Sequence, residues 1–260
     1  MITITDQAQK NMPKILLCAD SFGTTDRRYP GLHFSEKIQQ KVKNCEIINL
    51  SHSGGSNFLI ELQLHQGLQF KPDAVILSFT GVNRTTFQSH LSSHYKKKLL
   101  EWSKIDKQFN HQYYWSKIKN YNTRTYLCSP QIDAHSMSSE DDFVQRAKKW
   151  YKDSFLLEQN YINDLKDYFT VINLLNLLKL NSIPFCFSLG GVSYNQPWHQ
   201  DFRTRILSDN HLSDELNEHM TQSTSLNLWD YYQNEGPRFH VNDHDIQLKF
   251  ADECIEKLKL

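Results

Sequence analysis

Glycine and proline are scarce in this chain, 9 and 7 among 260 residues, which excludes a collagen-like polymer and long flexible linkers. Charge of one sign is not in excess either, because 29 Lys and Arg face 29 Asp and Glu. No global field gathers nucleic acid or an anionic membrane surface, so neither is expected as a partner. Long hydrophobic runs are missing as well. The most apolar long stretch, residues 168–180, is interrupted by Thr, Asn and Lys and falls short of the ~20 apolar residues of a membrane span. The opening MITITDQAQKNMPK lacks the basic-then-apolar pattern of a secretory leader, so a cytoplasmic protein is expected. The five cysteines (Cys18, Cys45, Cys128, Cys186, Cys254) are odd in number, scattered, and form no CxxC pair. They point to core thiols in a reducing compartment, and neither a metal nor a cofactor is expected.

What is present is an ordinary globular composition, 39% hydrophobic, 12% aromatic and 22% charged, read as one domain over residues 1–260. Short apolar runs predict strands at 14–19, 45–50, 73–80 and 183–189, with a fifth at 226–229. Helices are expected at 35–42, with Ser35 as N-cap, at 57–68, twice within 142–180, and near 211–221. The last helix is expected at 243–260, where Ile246, Phe250, Cys254, Ile255 and Leu258 line one face. Strands alternating with helices predict right-handed crossovers and a doubly wound parallel sheet. Residues 87–142 break the pattern. They are rich in Lys, His, Tyr, Ser and Asn, and are read as a helical insertion whose aromatic residues form a lid or pack on their own domain.

In such a sheet, ligands lie beyond the carboxyl ends of the strands. Three loops leave those ends, carrying Asp20-Ser21, Asn49 through Gly55, and Gly81-Val82-Asn83. Together with Phe239-His240-Val241-Asn242-Asp243 near the end of the chain, they resemble, in order, the four blocks of the SGNH (GDSL-like) hydrolase family. Ala19 stands where the family's first block has glycine, Ser51 departs from the glycine of the second, and Arg84 replaces the Asp of the third. In the last block Pro237 occupies the usual place of the triad's Asp. The resemblance covers about residues 14–86 and 183–258. It implies a three-layer, flavodoxin-like sheet of about five strands.

The resemblance also implies roles. Ser21 is the expected nucleophile and His240 the base that takes its proton and returns it to the leaving group. The N–H groups of Ser21 and Gly54 and the Asn83 amide form the expected oxyanion hole. Glu235 is the nearest upstream carboxylate to orient His240, the alternative being a Ser-His dyad held by a backbone carbonyl. Asp20 is read as capping the turn. His52 is read as a substrate contact or an exposed loop residue, and Arg84 as a partner for an anionic group or a surface ion pair. His240 and His244 would form a metal pair only if both lay on one helix, and the helix is expected to begin after His240. The activity expected is ester hydrolysis on a small acylated molecule or acylated glycan through an acyl-serine. The alternatives are an O-acyltransferase of the same fold and a non-catalytic binding protein.

Overall fold

The runs KILLCA, AVILS and FCFS are apolar without alternation, the pattern of strands covered on both faces. In the computed structural model the strands are Lys14–Ala19 (β1), Glu46–Asn49 (β2), Ala74–Ser78 (β3), Thr85–His90 (β4), Thr123–Cys128 (β5) and Phe185–Ser188 (β6). The helices are Phe34–Lys41 (α1), Asn57–Gly67 (α2), Asn160–Leu180 (α3), Pro197–Leu207 (α4), Ser213–His219 (α5) and His244–Leu258 (α6). The structure describes residues 12–26, 29–52, 55–81, 85–90, 123–128, 160–189, 197–221 and 244–260, of which 85–90, 123–128, 160–164, 197–201 and 244 are described by their backbone.

The main sheet is parallel in the order β2-β1-β3-β6, with Ile15 level with Ile47 on one side and Ala74 on the other, and Val75 level with Phe185. The chain winds from β1 to β2 and then crosses to the far side of β1 for β3. The turning point therefore lies between the carboxyl ends of β1 and β3, as in flavodoxin-like sheets. Beyond β6 the chain comes alongside at Met220, through one parallel bridge to Phe187 and the hydrogen bond of Thr221 N–H to the Phe187 carbonyl (2.8 Å). The expected strand at 226–229 lies outside the described residues.

Alternate residues of each strand feed two cores. Leu16, Cys18, Val75, Leu77 and Phe187 meet α2, α3 and α4 through Leu59, Leu64, Val171, Leu175 and Phe202. Ile15, Leu17, Ala19 and Ile76 meet α1 and α6 through Phe34, Ile38, Phe250 and Cys254. The result is the expected three-layer α/β architecture. Helices α1 and α6 run side by side in the same direction. Gln247 of α6 bonds the Phe34 N–H at the start of α1, and Asp252 pairs with Lys41 at its end. Helix α6 thus begins at the carboxyl end of the sheet.

Three expectations differ from the structure. The described part of the insertion is strand, β4 pairing antiparallel with β5 from Thr85↔Cys128 to His90↔Thr123, where helix was expected. Its Thr, Gln, Ser and His residues conceal a ribbon whose stability comes from cross-strand pairing. Helix α4 was not expected at all, although Pro197 at its first position and the buried Phe202 and Ile206 four apart are helix signals. Helix α1 is capped by His33, since His33 accepts from Ser35 N–H and places Ser35 inside the helix.

Candidate active site

At the end of β1 the chain turns sharply through a short 3-10 helix, Ser21–Gly23, whose cap is Asp20. One Asp20 oxygen accepts the Phe22 N–H (2.9 Å) and the other accepts the Thr80 hydroxyl (2.8 Å). Asp20 therefore caps the turn, as expected, and also ties it to the loop after β3. The Ser21 carbonyl accepts from the hydroxyl (2.6 Å) and the N–H (3.1 Å) of Thr24, and Gly23 N–H donates to the Asp20 carbonyl (3.1 Å). The Phe22 carbonyl accepts from His33 Nε2 (2.7 Å) and the Gly23 carbonyl from Asn49 Nδ2 (2.7 Å). The polar groups of this turn are held from three sides, while Ser21 N–H and the Ser21 hydroxyl have no hydrogen-bond partner among the described residues. Ser21 itself is 6% exposed.

Ala19, where the sequence resemblance implies glycine, carries no strain, because it is not among the residues with positive φ. Glycine is needed at position 23 instead. A Cβ there would stand 2.5 Å from the Ala19 methyl and 2.1 Å from Ser51 Oγ. Ala19 and Ser51 thus fill the space that Gly23 leaves open.

The second and third loops close on the same point. His52 N–H and Gln63 Nε2 both donate to the Ala19 carbonyl, at 3.1 and 3.0 Å. Asn49 Oδ1 accepts the Ser51 N–H (2.9 Å). Ser56 caps α2, and Asn57 grips Thr80 twice, Nδ2 donating to its carbonyl (2.9 Å) and Oδ1 accepting its N–H (2.8 Å). Within β1, burial pushes the Cys18 thiol well above its ordinary pKa, as expected of an unreactive core thiol.

Of the expected site residues, Ser21 stands at the turning point of the sheet and His52 is half-buried beside Ser51. Gly54, Asn83, Arg84, Glu235 and His240 lie outside the described residues. The sequence reading passed over His33, Asn57, Thr80 and Gln247, which brace the site. One signal was legible: His33 sits three residues before Glu36, the spacing of a capping box, and Glu36 Oε2 does accept the His33 N–H (3.0 Å). Among the described residues, no group of three His, Cys, Asp or Glu could hold a metal ion, and no helix is long and apolar enough to cross a membrane.

No family model matches the chain, and no curated protein matches it. Among solved structures, it is similar to an acetyl xylan esterase, AlAXEase, at 12% identity and a TM-score of 0.45, over 92% of this chain and 96% of that one. It is also similar to the lipase Lip_vut3 from a goat rumen metagenome, at 9% identity and a TM-score of 0.43, over 93% of this chain and 95% of the lipase.

Proposed function

We propose that the chain is a serine esterase that acts on a small acylated molecule or acylated glycan through an acyl-Ser21 intermediate. The observation that carries this reading is the state of the turn after β1. Within Ser21–Gly23 the N–H groups of Phe22 and Gly23 are taken, and that of Ser21 has no acceptor among the described residues. A hydroxyl and an uncommitted N–H on one rigid residue, at the turning point of a doubly wound sheet, supply a nucleophile and an oxyanion donor that need no rearrangement.

In the proposed mechanism, His240 removes the Ser21 proton as the hydroxyl attacks the ester carbonyl, and returns it to the departing alcohol. Ser21 N–H, Gly54 N–H and the Asn83 amide receive the oxyanion. Water, deprotonated by His240, then releases the acid and restores Ser21. Glu235 is the candidate to orient the imidazole, and a backbone carbonyl takes that part if the site is a dyad. Two features support His240 as the base. Helix α6 begins at the end of the sheet that carries Ser21, and His240 precedes that helix by four residues, a reach of at most about 14 Å of extended chain.

An active-site-directed fluorophosphonate probe tests the proposal. Labelling of the wild type that disappears in Ser21→Ala is the expected result. Absence of labelling in the wild type refutes it and leaves a non-catalytic binding protein as the reading, and persistence in Ser21→Ala refutes Ser21 as the nucleophile.

A further inference from the structure

His33 is fully buried and joins three elements through its ring. Nε2 faces the Phe22 carbonyl at 2.7 Å, and a carbonyl can only accept, so this nitrogen carries the proton. Nδ1 accepts from the Ser35 N–H (3.2 Å) and from the Ser35 hydroxyl (2.7 Å), so it carries none. The pattern assigns a neutral imidazole with a single tautomer. One nitrogen caps α1 and the other holds the carbonyl of Phe22, the residue that follows Ser21. The next residue, Phe34, donates its N–H to Gln247 of α6 (2.8 Å), a side chain that is itself buried. A continuous buried bracket therefore runs from the turn that carries Ser21, through His33 and Phe34, to the first turn of the terminal helix.

We propose that His33 is a positioning residue for Ser21, its Nε2–H fixing the Phe22 peptide so that the Ser21 hydroxyl and N–H keep the orientation that acyl transfer requires. The inference rests on Ser21 being the nucleophile. A capping residue needs one acceptor atom, and Ser, Thr, Asp or Asn supplies it at lower bulk. The second nitrogen of His33 does what no small cap can, crossing to a backbone group eleven residues earlier in the chain. Misplacement of a reacting group by about 1 Å costs about a hundredfold in rate, and the Phe22 carbonyl sits one peptide from the reacting serine.

The two nitrogens can be separated by substitution. Asn matches the reach of Nδ1, so His33→Asn keeps the α1 cap and loses the bond to Phe22. Gln matches the reach of Nε2, so His33→Gln keeps the bond to Phe22 and weakens the cap. The measurement is the rate of fluorophosphonate labelling of the full chain, alongside thermal unfolding. His33→Asn is expected to label about tenfold to a hundredfold more slowly than wild type while remaining the more stable variant. His33→Gln is expected to label close to the wild-type rate despite a lower melting temperature. Equal labelling by wild type and a folded His33→Asn overturns the inference, as does His33→Gln labelling more slowly than His33→Asn. If His33→Asn does not fold, labelling of folded His33→Gln decides: a rate near wild type supports the inference and a rate tenfold lower overturns it. Failure of the nucleophile reading is distinguishable, because the wild type then does not label at all.

Discussion

Gly23 shows how neighbouring side chains make a glycine necessary. The Ala19 methyl occupies volume that a side chain at position 23 would need. Gly23 is thereby required for its missing Cβ and not for an unusual φ, since Gly23 is not among the glycines with positive φ. Gly23→Ala is expected to destabilise the fold by about 1–3 kcal/mol, because the Ala19 methyl is anchored in the sheet and has nowhere to move. Equilibrium urea unfolding measures this. The same variant should slow labelling of Ser21, because the turn must shift to admit the methyl group.

At the scale of elements, the braces of the site are long-range hydrogen bonds made by buried polar side chains. Asp20 meets Thr80 across sixty residues, Asn57 holds Thr80, and Gln247 reaches Phe34 from the far end of the chain. Gln247→Leu keeps the volume and the helix propensity of α6, yet leaves the buried Phe34 N–H without this acceptor. A loss of about 1–3 kcal/mol is expected, together with faster amide hydrogen exchange at Phe34. If exchange there is unchanged, the bond does not hold α1 to α6. Elements were the most legible level in the sequence where hydrophobicity alone decides them. Strands β1, β3 and β6 were found within a residue or two because buried parallel strands are unbroken apolar runs. Helix α6 was found because its face repeats every three or four residues, and α2 from the imperfect face of Leu59, Leu62, Leu64 and Leu68. Strands β4 and β5 were not, since a polar ribbon gains its stability from the strand opposite and leaves little local trace. His33 was passed over as a cap because its second partner, the Phe22 carbonyl, is near only after folding.

For the whole molecule, the carboxylates and histidine whose pKa is lowered among the described residues gather at the edge beside β6. Burial lowers the pKa of His219 below its usual 6.5, with Glu218 pulling the other way, and its ring lies on Phe185 at 4.2 Å. The hydrogen bond from Tyr168 and the N–H of His211 hold Asp209 below the ordinary carboxylate value. Burial pushes Glu215 up, but its bonds to Lys179 and to its own backbone outweigh this, and the net shift is downward. All three shifts have the same sign of effect, because each group binds protons more readily in the unfolded chain. The folded state should therefore weaken as pH falls below about 6.5, first through His219, and again in the carboxylate range through Asp209 and Glu215. Urea midpoints measured from pH 7 to pH 5 check the first stage. His219→Phe should flatten that limb, and an unchanged slope would remove His219 as its cause.

What the sequence determined by itself was the alternation of strand and helix, the parallel sheet it forces, and the placement of Ser21 just after the first strand. Those follow from local patterns, since burial on two faces and helical period are written in consecutive residues. Tertiary structure decided the rest: the sheet order that puts Ser21 at the turning point, the exchange of space between Ala19 and Gly23, and the bracket from Phe22 through His33 and Phe34 to Gln247. Each of these depends on groups that meet only when distant segments pack, where a buried N–H or carbonyl must find whichever partner the fold brings to it.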